Sequence, residues 1–277
     1  MCIVLSVSRS AYYDWLKRLA TKREKADEEL AKRIRTIFEK SRKTYGHRRV
    51  KQALKQNFGV TASNDRIRRL MRDMGLVPVH KKKFKATTNS NHSLPIAPNL
   101  LKQNFQAVIP RQVLVGDITY IPTEEGWLYL ATVVDLFSRK VVGWALGERM
   151  TKELVIKAME RVLHQGRLAS DAIFHSDRGS QYASYDYQAL LSRNNIRQSM
   201  SARGDCYDNA CAESFFATLK KELIHRRRFV TRSRAKLEVF DYILWYNNER
   251  LHSSLKYWSP TGFENLHLRR NQLTASA

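Results

Sequence analysis

The stretch Gln112-Val113-Leu114-Val115-Gly116-Asp117-Ile118-Thr119-Tyr120-Ile121 decides how the rest of the chain is read. Its β-branched and aromatic residues in a period of two predict a strand. Val113, Val115, Thr119 and Ile121 share one face with Asp117. A lone carboxylate at mid-strand is costly to bury unless some positive charge pairs with it. Two further strands are expected close behind, over Gly126–Leu136 and Lys140–Gly147, and short connections make the three an antiparallel meander. A helix is expected over Lys152–Gln165, a short strand over Ala172–His175, a helix over Tyr185–Arg193, a short segment over Arg197–Met200, and a helix from about Asn209 to His225. Strands followed by alternating helix and strand predict an α/β fold, a mixed sheet with helices on both faces.

Upstream of this block the pattern is helical. Ser8 is a candidate N-cap for a short helix, and a second is expected over Asp27–Ser41 with Leu30, Ile34, Ile37 and Phe38 inward. A third is expected over His47–Asn57, ended by Gly59, and a fourth from Ser63-Asn64-Asp65 to Gly75. The last carries Arg66, Arg68, Arg69 and Arg72. Short helices, tight turns and an arginine-bearing final helix fit a helix-turn-helix unit with those arginines toward DNA; the alternative is an arginine-rich solvated face. Between the two blocks lie Lys81-Lys82-Lys83-Phe84-Lys85 and Pro95, Pro98 and Pro110, read as an extended basic linker able to follow a phosphate backbone. The expected organisation is therefore a partial helix-turn-helix over 1–22, a helical DNA-binding domain over 23–77, the linker over 78–110, and a catalytic core with a C-terminal helix over 111–270.

Charge agrees with this division. The 277 residues carry 49 basic and 26 acidic side chains, a net +23. Residues 1–110 hold 25 basic and 8 acidic (+17), and residues 111–277 hold 24 and 18 (+6). A surplus of that size implies a polyanionic companion, concentrated at the N-terminal part. No apolar run approaches 18 residues, so no membrane helix is expected. Three cysteines without a CxxC pair exclude a disulfide framework and argue against zinc, which fits a cytoplasmic setting.

Two further acids stand at informative places. Asp177 follows the short strand ending Phe174-His175-Ser176, and the carboxyl ends of strands are where α/β folds place their sites. Glu213 sits early in a helix whose nearby residues are small or apolar, with Ala217 and Lys220 on the same stripe. Taken singly, each acid has a structural alternative: a turn former, an Asx-turn, a dipole-compensating acid. Asp208 reads as a helix cap and Asp135 as structural.

These residues also carry a resemblance. Gly116-Asp117-Ile118-Thr119-Tyr120-Ile121, Asp135-Leu136-Phe137-Ser138-Arg139, His175-Ser176-Asp177-Arg178-Gly179-Ser180-Gln181-Tyr182 and Asp208-Asn209-Ala210 leading to Glu213 resemble the core of DDE transposases. Thirty-five residues separate Asp177 from Glu213, the spacing that marks one branch. Tyr45-Gly46-His47-Arg48-Arg49 and Tyr246-Asn247-Asn248-Glu249-Arg250-Leu251-His252 are similar to the second-reading-frame protein of the insertion sequence three family. Leu114 departs from that pattern, where Trp is usual.

The resemblance implies a ribonuclease-H-like fold and a transposase that cuts element ends and joins their 3′-OH to target DNA. It makes Asp117, Asp177 and Glu213 the catalytic carboxylates and the ligands of two Mg²⁺ ions, with Mn²⁺ able to substitute. Three carboxylates brought within ~4 Å repel by about 4 kcal/mol per pair at an effective dielectric of 20, so they require divalent metal or a raised pKa. Lys220 is implied as a contact to the DNA end; His175, two residues before Asp177 on the strand and so on the same side, reads from its position as a support for the ligands or a structural partner. Implied partners are double-stranded DNA, both the terminal inverted repeats and the target, and the product of an upstream reading frame, because Leu5–Ser10 resembles the second half of a helix-turn-helix. A multimer on DNA, near the bacterial nucleoid, is expected. Two other functions fit the same features: a catalytically silent DNA-binding regulator, against which the intact acids speak, and a ribonuclease-H-type nuclease, which needs no arginine-rich helical unit.

Overall fold

A computed structural model describes residues 8–17, 21–79, 94–166, 168–202 and 210–275. The chain forms two compact units, residues 1–79 and 80–277.

The first unit contains α1 (Arg9–Lys17), α2 (Lys22–Lys40), α3 (His47–Phe58) and α4 (Asn64–Asp73). α1 buries none of its residues, and Tyr13, Trp15 and Leu16 stand exposed. α2 starts five residues earlier than expected. Thr21 and Glu24 form a capping box, with the Glu24 N–H donating to Thr21 Oγ1 (3.2 Å) and the Thr21 N–H donating to Glu24 Oε2 (2.7 Å). α2, α3 and α4 share a core of Leu30, Ile34, Ile37, Phe38, Val50, Leu54, Ile67, Leu70 and Met71, the residues the helical period selects.

In the second unit five strands form one mixed sheet: β1 (Val113–Thr123), β2 (Gly126–Asp135), β3 (Val141–Gly147), β4 (Ile173–Ser176) and β5 (Arg197–Met200), in the order β3-β2-β1-β4-β5. The first three are the antiparallel meander, and β4 and β5 add parallel beside β1. The helices are α5 (Lys152–His164), α6 (Ser180–Ala183), α7 (Tyr185–Arg193), α8 (Ala210–Glu222), α9 (Arg232–Asn248) and α10 (Pro260–Ala275). One core cluster joins Leu114, Val133, Val142 and Phe174 of the sheet to Val155, Ala158 and Met159 of α5 and Tyr187 and Leu191 of α7. α8 and α9 pack on β1 and β2. Strand residues of the other parity, Val113, Val115, Ile121, Leu128 and Leu130, are buried as well, so both faces are covered. Each such side chain contributes about 1.5–3 kcal/mol.

Two glycines let these layers close. A Cβ on Gly116 would lie 2.3 Å from the Phe174 ring, and one on Gly143 would lie 2.2 Å from the Ala158 carbonyl oxygen of α5.

Part of the segment expected as an extended linker over 78–110 packs against the core of the second unit. Residues 80–93 lie outside the described ones, whereas Leu94 and Ala97 pack on the core, Leu101 is buried, and the Leu100 N–H donates to Ser199 Oγ (2.9 Å). Apolar residues at 94, 97 and 101 find the sheet edge despite the two prolines among them.

Candidate active site

The sheet register builds the site. β1 and β4 run parallel with Val113 beside Ile173 and Val115 beside His175. Carrying that register two residues further sets Asp177, just past the end of β4, beside Asp117 in mid-β1. Both line one cavity with Tyr120, Trp127, Gln181 and Tyr182. Each carboxylate is fixed by a local backbone donor: Ile118 N–H to Asp117 Oδ1 at 2.7 Å, and Gly179 N–H to Asp177 Oδ1 at 3.0 Å. Burial pushes the Asp117 carboxyl well above the usual range; the negative charge of Asp177 adds to the shift, and Glu213 adds a smaller part.

Glu213 lies in the first turn of α8 and is exposed. Its carboxyl is also raised, by partial desolvation of its ionised form. Among the described residues no three His, Cys, Asp or Glu side chains gather closely enough to hold an ion, so Glu213 stands within the field of Asp117 without closing on the pair. Mutual repulsion of carboxylates acts in that direction. Two turns along α8, Lys220 places its Nζ 4.7 Å over the Tyr120 ring. Burial lowers the Lys220 pKa, and the charge of Asp117 works against that shift.

His175 is bonded to serines in and just beyond β5. It is fully buried, with Nδ1 2.8 Å from Ser199 Oγ and Nε2 3.3 Å from Ser201 Oγ, so it ties β4 to β5 and to the turn beyond. Asp135 is structural, as its position suggests: it accepts from Ser138 Oγ (2.6 Å), the Ser138 N–H (3.2 Å) and the Arg111 N–H (3.1 Å), and burial raises its pKa. Asp208 lies outside the described residues.

The anchoring of α8 has no signal in residue spacing. At its C-terminal end Glu222 is buried and accepts from Arg250 Nε (2.8 Å), Arg250 Nη2 (2.7 Å) and Tyr242 Oη (2.8 Å). Burial opposes the charge on Arg250, and Glu222 more than offsets it, holding the guanidinium proton above its usual range. Sequence reasoning also passed over the exposed aromatic pair Tyr120 and Trp127, whose signal is two large rings on strand positions that need not be apolar.

In the first unit the four arginines divide. Arg66 Nε and Arg69 Nη2 both pair with Asp27 of α2, at 2.6 and 2.5 Å, and hold the Asp27 carboxyl below its usual range, Arg69 more than Arg66. That places these two in the joint between α2 and α4. Arg68 and Arg72 point outward, 62% and 80% exposed. Lys81, Lys82 and Lys83 lie outside the described residues.

Comparison with known proteins follows these parts. Integrase core domain models match residues 107–206 and 213–268, and an HTH-like domain model matches 25–84. The chain is 42% identical over 271 residues to the transposase InsF for insertion sequence IS3A of Escherichia coli K12, covering 97% of this chain and 94% of that one.

The chain belongs to the IS3 family of transposases.

A second IS3-type relative, the uncharacterized 31 kDa protein of insertion element IS600 from Shigella sonnei, is 46% identical over 264 residues, covering 95% of this chain and 97% of its own. Among solved structures, the catalytic core domain of HTLV-2 integrase in complex with magnesium aligns at 16% identity over 57% of this chain and 99% of that one, with a TM-score of 0.44. The first integrase-core match contains Asp117 and Asp177, the second contains Glu213 and Lys220, and the HTH-like match contains all four arginines of α4. No described helix is long and apolar enough to cross a membrane.

Proposed function

We propose that this transposase cuts DNA at the ends of its element and joins the freed 3′-OH to target DNA, with Asp117, Asp177 and Glu213 as its catalytic carboxylates. The observation that carries the reading is the side-by-side placement of Asp117 and Asp177, with the Asp117 carboxyl raised by burial and by its acidic neighbours. Such a pair favours either a shared proton or a bound cation.

The donor set fits Mg²⁺, with Mn²⁺ as a substitute: hard carboxylate oxygens with no Cys or His among them. Asp117 and Asp177 would hold the metal, with Glu213 as the third ligand. When bound, two ions supply the positive charge that lets an attacking oxygen lose its proton and a leaving 3′-oxygen depart in line. The chain's own residues do the rest. The Ile118 and Gly179 N–H groups fix the two aspartates in one orientation before DNA arrives. Lys220 offers a cation to the DNA end beside them.

Arg68 and Arg72 of α4, with Lys81, Lys82 and Lys83, would contact phosphates of the terminal repeats. Arg66 and Arg69 would hold α4 in place. Two element ends must meet for joining, so a multimer on DNA is part of this reading, as is help from the product of the upstream frame. A protein of charge +23 acting on DNA would work in the cytoplasm, at the nucleoid.

A strand-transfer assay tests this, using labelled duplexes from the DNA flanking the gene, Mg²⁺ or Mn²⁺, and the upstream-frame product added back. Metal-dependent joining that disappears in Asp177→Asn is the expected result. Equal joining by both proteins would overturn the assignment.

A further inference from the structure

We infer that Tyr120 and Trp127 form a subsite for one unpaired nucleobase at the DNA end, next to the paired aspartates. The inference rests on the DNA-end reading above and adds a ligand chemistry to it.

Tyr120 and Trp127 sit on the β1–β2 hairpin, where Tyr120 lies opposite Tyr129 and Trp127 opposite Pro122. The alternating residues Ile121 and Leu128 are fully buried, so the hairpin already has its core packing. The two rings are left 48% and 50% exposed. They meet edge to face, with centroids 4.9 Å apart and planes at 82°, which makes a rigid aromatic corner. Corner, Asp117 and Asp177 line the same cavity. Lys220 lies over the Tyr120 face from α8.

A hydrophobic corner and two carboxylates lining one cavity, with a cation over the Tyr120 ring, match the parts of a nucleotide. A base has a π face that stacks on any aromatic ring, and its phosphate answers the cation. A base inside a duplex has both faces covered by its neighbours. Only a terminal or unpaired base can present a face to Trp127, and such a base costs least to unstack when its pair is already open. The wider charge of the chain draws in a polyanion rather than a free aromatic molecule. The subsite thus fixes the end nucleotide in register with the carboxylates, so the phosphate to be cut is chosen by distance from the stacked base.

The test needs no metal. Two duplexes of the element end are compared in EDTA, with the upstream-frame product added back. Each carries 2-aminopurine at the terminal position, one opposite its pairing partner and one opposite an abasic site. Fluorescence quenching reads stacking, and anisotropy of a distant label reads binding. The expected result is strong quenching of the unpaired base, abolished in Trp127→Ala and kept in Trp127→Phe, with affinity for the unpaired duplex falling by about 5- to 150-fold in Trp127→Ala. Affinity for the paired duplex should change by less than about twofold, since stacking contributes little there. Equal quenching in Trp127→Ala, or an equal fall in affinity for both duplexes, would overturn the subsite. Binding by the wild type without quenching would overturn the subsite alone. Failure to bind either duplex would overturn the DNA-end reading and the subsite with it.

Discussion

Replacing Arg250 by Met takes two charged donors from buried Glu222, which also accepts from the Tyr242 hydroxyl. In the wild type the side chains of Arg250 and Glu222 are 5% and 3% exposed, and two charge-assisted hydrogen bonds join them. Removing one partner of such a pair costs about 3–5 kcal/mol, chiefly because the other charge stays out of water. With a urea dependence of about 2 kcal/mol per molar, the unfolding midpoint should fall by about 2 M. Four of the five tryptophans, Trp127, Trp144, Trp245 and Trp258, lie in the second unit, so tryptophan fluorescence follows its unfolding.

The sign with pH is fixed. In Arg250→Met the folded Glu222 should bind its proton more tightly than the unfolded residue, whose pKa is about 4.3. The deficit is then full above the raised folded pKa and shrinks as pH falls toward the unfolded value. Replacing Glu222 by Leu as well removes the orphaned charge, and adding Tyr242→Phe removes the hydroxyl left behind, worth about 1–3 kcal/mol. The triple variant should recover most of the stability. A single-variant cost under about 1 kcal/mol, far below the range for a broken buried pair, would refute the reasoning. So would a deficit that stays unchanged as pH is lowered to the unfolded carboxyl value of about 4.3. The same cycle read by strand transfer asks whether orientation of α8 matters, since this helix also carries Glu213 and Lys220.

Other outcomes follow from the same geometry. Arg68→Ala with Arg72→Ala should flatten the salt dependence of DNA binding by roughly 0.9 log unit for each phosphate no longer neutralised, measured by anisotropy titrations, without changing the stability of the helical unit. Asp27→Asn should instead loosen the joint between α2 and α4. Because its ion pairs lower the Asp27 pKa, the wild-type contribution is present above the unfolded carboxylate pKa of about 3.9 and disappears below the folded one, which acid titration by circular dichroism would show. Gly116→Ala should destabilise the sheet by roughly 1–3 kcal/mol in thermal unfolding, since the Phe174 ring must move to admit the methyl group. Glu213→Gln should keep DNA affinity while lowering cleavage by at least about 10²-fold; equal cleavage would remove Glu213 from the catalytic set.

The β1 segment was legible because alternation is a direct record of a sheet with a covered face, and the one residue that broke the pattern, Asp117, is the one at the site. Asp177 was legible from its place after a short strand. Their adjacency was legible only through the family resemblance and not from local propensity, because it depends on β4 pairing with β1 across the whole of β2, β3 and α5. α9 left no clear stripe because it is apolar nearly all round: Val239, Tyr242 and Ile243 face inward, while Leu237, Phe240 and Leu244 are exposed. The start of α2 escaped notice although Thr21 and Glu24 have capping-box spacing, because the charged residues that follow hide the helical period. The pairing of Arg66 and Arg69 with Asp27, 39 and 42 positions earlier, has no signal in their spacing.

Asn247, within α9, reaches the outer edge of the sheet, where its side-chain amide accepts from the Val141 N–H and donates to the Val141 carbonyl, both at 2.9 Å. One side chain there imitates a peptide of a neighbouring strand. At the opposite margin, β5 is only four residues long and Ser199 is engaged by the Leu100 N–H. An open strand is a template on which another chain can grow. With one margin capped at Val141 by a borrowed amide and the other only four residues long, the sheet offers little template for strand addition.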